Sequence, residues 1–168
     1  CVADIASNFT TNRMLIDYEE RFYNKLAQRK KLMLDKNYIM ARQIAAWKRK
    51  VSAAWDYIVI RDVKRAEIES EAMYVGKKYH FELTIDLAGL QKEDIGAELV
   101  VATQIEAGQA ANVVETRRLE IVASDDKSVT LALDYAPEHT GMFDVALRVF
   151  PVNDNLEHRM DFALVKWA

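Results

Sequence analysis

The residues of this chain best suited to metal or acid–base chemistry are three histidines, one cysteine and several neighbouring carboxylates. His80, His139 and His158 lie far apart and lack the short spacing of a zinc site, and Cys1 has no second thiol to join it. Alternation predicts His80 on the polar face of a strand, whereas His139 and His158 fall in a turn and a connecting loop. We therefore assign no metal ligand.

Carboxylate pairs can act as acid and base when they face each other across a cleft at a defined separation. Neighbouring carboxylates occur at three places, which are Asp17 with Glu19 or Glu20, Glu93–Asp94 and Asp125–Asp126. Sequence neighbours on a helix surface or in a turn rarely face one another, so a solvated surface or a turn is the favoured interpretation. Asp125–Asp126, followed by Lys127, is predicted to be the tip of a hairpin.

Phosphate-binding and nucleophile motifs are absent from the sequence. The chain has only 5 glycines, and they form neither a G-x-G-x-x-G nor a Walker pattern. No G-x-S-x-G motif presents a serine nucleophile. The sequence thus assigns no catalytic and no cofactor-binding residue.

Two groups of residues suggest binding rather than catalysis. The basic runs Arg29–Lys31 and Lys48–Lys50 are suited to a phosphate backbone, although Trp47 beside the second run falls on an apolar seam. Aromatic residues of the strands such as Tyr135 and Trp167 could stack on sugar rings if exposed, and packing in a core is the favoured interpretation of each. Neither interpretation is excluded by the sequence.

Composition and charge describe a globular protein with two electrically different parts. The chain has 168 residues, 51% of them hydrophobic and 29% charged. Residues 1–65 hold 14 Lys and Arg against 7 Asp and Glu, and residues 66–168 hold 9 against 19. No apolar run approaches the roughly 18 residues of a membrane helix, and we expect a cytoplasmic location. Because position 1 is Cys, we expect a fragment of a longer chain.

The first part of the sequence has the periodicity of amphipathic helices. Hydroxyl and amide side chains at Thr10–Asn12 predict a helix cap, and the first helix is expected over Thr11–Leu34. Asp35–Asn37 predicts its end and the cap of a second helix, Tyr38–Trp55. Apolar residues recur every three or four positions in both, which indicates an antiparallel hairpin or one long bent rod, and the short polar link favours the hairpin.

The rest of the sequence alternates with the period of β-strands. Tyr57–Ile60 with Val63 indicates a strand or an extended linker, and Tyr79–Leu87 alternates plainly between apolar and polar residues. Further strands are predicted at Ala97–Thr103, Glu115–Ala123, Val129–Tyr135, Phe143–Phe150 and Asp161–Trp167. Turn signals separate them, including Ala88–Gly89 and Ala107–Gly108. This pattern favours an antiparallel immunoglobulin-like β-sandwich.

Three stretches carry a resemblance to a known family. Phe9–Tyr23, FTTNRMLIDYEERFY, resembles the F-S-S-D-R-x-I-x-x-Y-x-x-x-I-W segment near the end of the catalytic core of α-glucan (glycogen, starch and maltodextrin) phosphorylases. Asn37–Trp55, and Pro151 with His158–Val165, look like the C-terminal extension of the longer bacterial and archaeal members. The resemblance implies a glycosyltransferase that uses pyridoxal phosphate and inorganic phosphate to release glucose 1-phosphate from α-1,4-glucans.

The resemblance implies no active site in this chain. The family's cofactor lysine lies in a K-x-x-x-x-G-N-M-K type segment, which this sequence does not contain. Pyridoxal phosphate is therefore expected in the full-length parent and not in this fragment.

We predict an α+β chain in which residues 1–65 are the terminal helices of a phosphorylase-like catalytic domain, arranged as an amphipathic hairpin, and residues 66–168 are an appended β-sandwich. The expected role is a non-catalytic structural or oligomerisation region. The expected partners are the remainder of the phosphorylase chain and, for the isolated fragment, a second copy bound through the helices; no membrane is expected. A glucan-binding module is the alternative, followed by nucleic-acid binding through the basic helices.

Overall fold

The computed structural model describes residues 10–65, 73–103 and 112–168. The chain divides into a helical unit, Cys1–Trp47, and a two-sheet unit, Lys48–Ala168. Cys1, Phe9 and the predicted turn at Ala107–Gly108 lie outside the described residues. The predicted boundary near residue 65 stays a prediction.

In the described part of the helical unit the first element is α1, Thr11–Tyr18, at the predicted cap. Thr10 has an extended backbone, and its Oγ1 accepts a hydrogen bond from the N–H of Arg13 at 3.2 Å. This bond satisfies one of the N–H groups that the first turn of a helix leaves unpaired. A π-helical turn, Glu19–Tyr23, and then α2, Asn24–Trp55, continue the chain. The predicted start of the first helix is confirmed.

α2 is broken at Asp35. The backbone there leaves the helical range, and Lys36, Asn37 and Tyr38 all have positive φ. The carboxylate of Asp35 accepts a hydrogen bond from the N–H of Lys36 at 2.9 Å, so a local polar contact replaces the helical one. The break falls at the predicted end of the first helix, and the antiparallel hairpin stays a prediction.

The two-sheet unit includes the C-terminal end of α2, from Lys48 to Trp55. Val51 and Trp55 on this end are buried. The ammonium of Lys50 lies 2.7 Å from the carboxylate of Asp94 and adds a charged contact to that apolar packing. No helix in the described ranges combines the length and the apolar content that crossing a membrane requires.

The described residues of this unit form two antiparallel four-stranded sheets, ordered β1-β2-β6-β5 and β4-β3-β7-β8. Their strands are β1 Val59–Arg65, β2 Tyr79–Asp86, β3 Ile95–Thr103, β4 Val113–Arg118, β5 Glu120–Ser124, β6 Ser128–Tyr135, β7 Phe143–Pro151 and β8 Lys166–Trp167. The chain is therefore α+β, as predicted.

The alternation predicted for β2 is confirmed. Tyr79, Phe81, Leu83 and Ile85 are buried, whereas His80, between the first two, is exposed. β2 pairs along its whole length with β6, from Tyr79 opposite Tyr135 to Asp86 opposite Ser128. Each fully buried aliphatic side chain contributes about 1.5–3 kcal/mol relative to exposure, so this central pair is a large part of the core.

The single strand predicted at Glu115–Ala123 is wrong. The chain forms β4 in one sheet and β5 in the other, with Leu119 between them. Leu119 is buried, and its N–H donates to the carbonyl of Ala97 in β3 at 2.9 Å. This residue marks the passage between the sheets.

The strand predicted at Asp161–Trp167 is also largely wrong. A 3-10 turn, Arg159–Phe162, occupies its beginning, and only β8, Lys166–Trp167, remains as a strand. His158 caps the turn by accepting a hydrogen bond from the N–H of Met160 at 3.1 Å. A polar side chain that bonds its own backbone competes with strand pairing, which explains the difference.

Two predicted turns are confirmed. Ala88 and Gly89 both have positive φ, and the N–H of Leu90 donates to the carbonyl of Leu87 at 2.9 Å. The tip between β5 and β6 lies at Asp125, as predicted.

Candidate functional site

The three histidines serve different parts of the two-sheet unit. His80 lies on the exposed face of β2, His139 lies in the loop after β6, and His158 caps the 3-10 turn. Among the residues that the structure describes, no group of three or more His, Cys, Asp or Glu side chains could hold a metal ion.

His80 belongs to a charged network across three strands. Its Nδ1 lies 2.7 Å from the carboxylate of Asp134, and this hydrogen bond raises the pKa of His80 above its ordinary value. Glu82, 3.7 Å from Nε2, acts in the same direction. Lys64 on β1 bonds to Glu82, which raises the pKa of Lys64 and lowers that of Glu82. Such cross-strand pairs stabilise a sheet surface.

The neighbouring carboxylates act as structural acceptors. Asp94 accepts from the N–H of Gln91 at 2.9 Å and from Lys50. Asp125 accepts from two backbone N–H groups at the hairpin tip, at 2.8 and 2.7 Å, and these bonds lower the pKa of Asp125. Both carboxylates hold local backbone in place, as the turn interpretation predicted.

The second basic run is engaged within the two-sheet unit. Lys48 donates to the carbonyl of Asp161 at 2.6 Å, and its ammonium lies 5.5 Å from the ring centroid of Phe162. Lys50 is paired with Asp94. Two of the cations in Lys48–Lys50 thus fasten the end of α2.

The two aromatic residues considered for sugar stacking differ in exposure. Trp167 is 57% exposed, with the guanidinium of Arg148 at 5.8 Å from its ring centroid. Tyr135 is only 6% exposed, which agrees with packing in a core, the favoured interpretation of this residue. Its hydroxyl donates to the carboxylate of Glu115 at 3.1 Å, and burial, followed by the charge of Glu115, raises the pKa of Tyr135 to about 12.

Tyr135 lies on a pocket of about 620 Å³ that both sheets line. Its inner wall is apolar and buried, and is made by Phe81, Leu99, Val101, Tyr135 and Leu147. Pockets that bind small molecules have volumes of about 300–1,000 Å³ and mostly apolar walls with a few polar groups. We call this cavity the end pocket.

The rim of the end pocket carries the polar groups. Arg65, Glu115, His139 and Asp144 line it together with the exposed ring of Tyr74. Glu115 is ion-paired with the neighbouring Arg117, which does not itself line the pocket.

Two hydrogen bonds hold the backbone of the loops at this rim. The N–H of Tyr74 donates to the hydroxyl of Tyr79 at 2.7 Å, and the N–H of Gly76 donates to the carbonyl of Pro137 at 3.1 Å. The first bond ties the loop of Tyr74 to β2, and the second ties that loop to the loop of Pro137.

Gly141 shapes one wall of the pocket. It has φ +154°, and a Cβ added to it would lie 2.9 Å from the ring of Phe143. Only glycine lets this backbone approach the ring so closely. The sequence could not reveal the pocket, because its residues come from separate strands and loops, and only the folded sheets bring them together.

Comparison with known families gives a match over most of the chain. A family model described as the glycogen phosphorylase C-terminal domain matches residues 55–168. No solved structure gives a significant match.

Comparison with curated proteins gives longer relatives. The maltodextrin phosphorylase of Thermococcus litoralis is 26% identical over 170 residues, which cover 99% of this chain and 19% of that protein. The glycogen phosphorylase of Mycobacterium tuberculosis is 27% identical over 139 residues, which cover 83% of this chain and 14% of that protein. The chain thus spans a fifth or less of the length of these relatives.

Proposed function

The chain belongs to the family of the glycogen phosphorylase C-terminal domain, and from this premise we propose that it is the non-catalytic, structural C-terminal region of an α-glucan phosphorylase. The parent enzyme would release glucose 1-phosphate from α-1,4-glucans. A cytoplasmic location is part of the same proposal, and cell fractionation tests it.

Pyridoxal phosphate, which the resemblance implies for the parent, does not fit the end pocket. The described lining contains no lysine to form an imine. Arg65 is accompanied there by Glu115 and Asp144, which disfavour a phosphate group. We therefore place the cofactor in a part of the parent other than this chain.

One observation carries the structural role, which is the exposed apolar stripe of the helical unit. We call Met14, Tyr18, Phe22 and Leu26 the helix stripe, and these side chains are between 44% and 59% exposed. The rings of Tyr18 and Phe22 lie 6.1 Å apart. A contiguous exposed apolar surface marks an interaction site. In the parent its partner would be the rest of the phosphorylase chain, and in the isolated chain a second copy.

Sedimentation equilibrium tests this role. We expect the isolated 168-residue chain to dimerise and the double variant Tyr18→Glu, Phe22→Glu to dimerise more weakly. Tyr57→Glu, at an exposed aromatic position outside the helix stripe, is the matched control and should behave like the wild type. A wild-type chain that stays monomeric at high concentration would remove the dimer from the proposal.

The arrangement of the helices and sheets is part of the proposal. We propose that residues 1–65 form an antiparallel helical hairpin and that residues 66–168 pack as an immunoglobulin-like sandwich. The positive φ values at Lys36–Tyr38 support a reversal of the chain there. Spin labels at Gln28 and Ala46 should lie about 10 Å apart in a hairpin, and about 27 Å apart in a continuous helix.

Glucan binding is the second candidate function, and the end pocket favours it. Electrophoresis through a gel that contains amylopectin tests it, because a glucan-binding chain migrates more slowly than in a plain gel. Unchanged migration would leave the structural role alone. Nucleic-acid binding has less support, since Lys48 and Lys50 are engaged with Asp161 and Asp94.

A further inference from the structure

We propose that the end pocket binds a neutral sugar ring at the end of an α-glucan chain. This inference rests on the second candidate function and specifies its site, because glucan binding alone could use any exposed aromatic residue.

Several polar side chains of the rim are available to a ligand. Within the described part of the chain, the side chains of Arg65, His139, Thr140 and Asp144 make no hydrogen bond or ion pair, yet all four residues line the end pocket. They include donors only, acceptors only, and groups that do both. A sugar hydroxyl can donate and accept at once, so a ring with several hydroxyls matches this mixture.

The charges of the rim disfavour an anion. Arg65 is accompanied by the carboxylates of Asp144 and Glu115, and Arg117 already pairs with Glu115. A phosphate or a fatty-acid carboxylate would therefore approach acidic groups without a free cluster of cations. A wholly apolar ligand would leave the polar rim groups without partners, which costs binding energy. A neutral polyhydroxylated ligand avoids both costs.

The walls of the pocket offer surface for the apolar side of a ring. Tyr74 is 63% exposed at the rim, and its backbone N–H donates to the hydroxyl of Tyr79. Phe143 lines the same pocket, beside the glycine at position 141. Aromatic rings combine an apolar body with few rotatable bonds, so they offer surface to the apolar side of a sugar ring at a low entropy cost.

Tyr135 supplies a polar group at the inner end. Its hydroxyl donates to Glu115 at 3.1 Å, which leaves the oxygen able to accept a hydrogen bond from a ligand hydroxyl. Because the hydrogen bond to Glu115 fixes the orientation of this hydroxyl, a hydroxyl of the ring would meet an acceptor already in position.

Isothermal titration calorimetry of the 168-residue chain with maltoheptaose tests the proposal. We expect Asp144→Ala and Tyr74→Ala each to lower the affinity at least about tenfold, the size of a lost charged hydrogen bond or a lost aromatic contact. The matched controls are Asp126→Ala and Trp167→Ala, which replace an exposed carboxylate and an exposed aromatic outside the pocket, and they should bind like the wild type. Circular dichroism checks that each variant is folded.

Three other outcomes would each overturn the assignment of a sugar ring to the end pocket. If Trp167→Ala abolishes binding and the pocket variants do not, glucan binding stands but the end pocket is not its site. If the wild type binds no maltoheptaose, the pocket and the second candidate function both fall, while the structural role remains. If decanoate binds more tightly than maltoheptaose and displaces it, the pocket prefers an apolar anion and the proposal is wrong.

Discussion

Gly96 in β3 lies where no side chain fits. A Cβ at this position would lie 2.7 Å from Cγ2 of Val152 and 3.2 Å from the ring of Phe150. We expect Gly96→Ala to lower the free energy of unfolding by about 1–3 kcal/mol, the usual cost of overpacking. Urea unfolding followed by circular dichroism measures this. Adding Val152→Ala should restore part of the loss, and equal destabilisation with and without that second change would argue against overpacking.

His80 should make stability depend weakly on pH. Its pKa is raised by Asp134, so the charged form stabilises the fold fully below the unfolded pKa of about 6.5. This contribution is lost as the pH rises from there through the higher folded pKa. The effect should be small, because solvent screens an exposed pair.

The comparison of wild type with His80→Gln checks this sign. The wild type should lose stability relative to the variant when urea unfolding is repeated between about pH 6 and pH 8. His139→Gln is the matched control, since in the described part of the chain His139 has no charged partner. A wild type that gains stability relative to His80→Gln as the pH rises would contradict the assignment.

The chemistry of single residues was partly visible in the sequence. The roles of Asp125 in a hairpin tip and of His80 on a polar strand face followed from local pattern, and the structure agrees. The place of Tyr135 on the end pocket did not, because it depends on Glu115 and on walls from the other sheet. A local pattern gives the face of a strand, while a pocket depends on contacts between distant segments.

The same distinction applies to the elements. β2 and β6 were predictable because one face of each is buried and the period of two is plain. The division of Glu115–Ala123 into β4 and β5 was not, because the bond from Leu119 to Ala97 is made with a distant strand. The break in α2 was predictable, because the carboxylate of Asp35 can accept a hydrogen bond from the N–H of the next residue, Lys36.

A buried ion-pair cluster ties the 3-10 turn Arg159–Phe162 to its sheet. Glu98 on β3 is 6% exposed and is bound by Arg148 on β7 and by Arg159, whose Nη1 lies 2.5 Å away. The side chain of Arg148 is more buried than that of Arg159. Removing a partner leaves a buried carboxylate insufficiently paired, which is costly.

We expect Arg148→Met to lower the free energy of unfolding by about 3 kcal/mol, as for other broken buried pairs. Arg159→Met should cost less, because this side chain is partly solvated. Adding Glu98→Met to Arg148→Met should recover much of the stability, since the unpaired charge is then gone. Urea denaturation of the single and double variants measures these differences, and a Glu98→Met change that makes Arg148→Met worse would contradict the argument.

At the scale of the whole molecule, the end of α2 and strand β1 belong to the two-sheet unit and not to the helical unit. The boundary between the two compact units falls between Trp47 and Lys48 in the sequence, and the family match begins at residue 55. β1, Val59–Arg65, pairs with β2 from Val59 opposite Asp86 to Arg65 opposite Phe81. The predicted boundary near residue 65 would cut this pairing.

The stability of two shortened chains decides between these boundaries. Residues 48–168 retain Val51, Trp55 and Ile58, all nearly inaccessible to solvent, together with the whole of β1. Residues 66–168 lose all of these, and each buried side chain is worth about 1.5–3 kcal/mol. We therefore expect residues 48–168 to unfold cooperatively with most of the stability of the two-sheet unit. Residues 66–168 should be unfolded or strongly destabilised in a thermal melt followed by circular dichroism.

Equal melting midpoints for the two shortened chains would mean that β1 and the end of α2 add little stability to the sheets. The domain boundary would then lie near residue 65. A lower midpoint for the shorter chain would instead make the end of α2 and strand β1 integral parts of the two-sheet unit, because the side chains that they bury would then be needed for its stability.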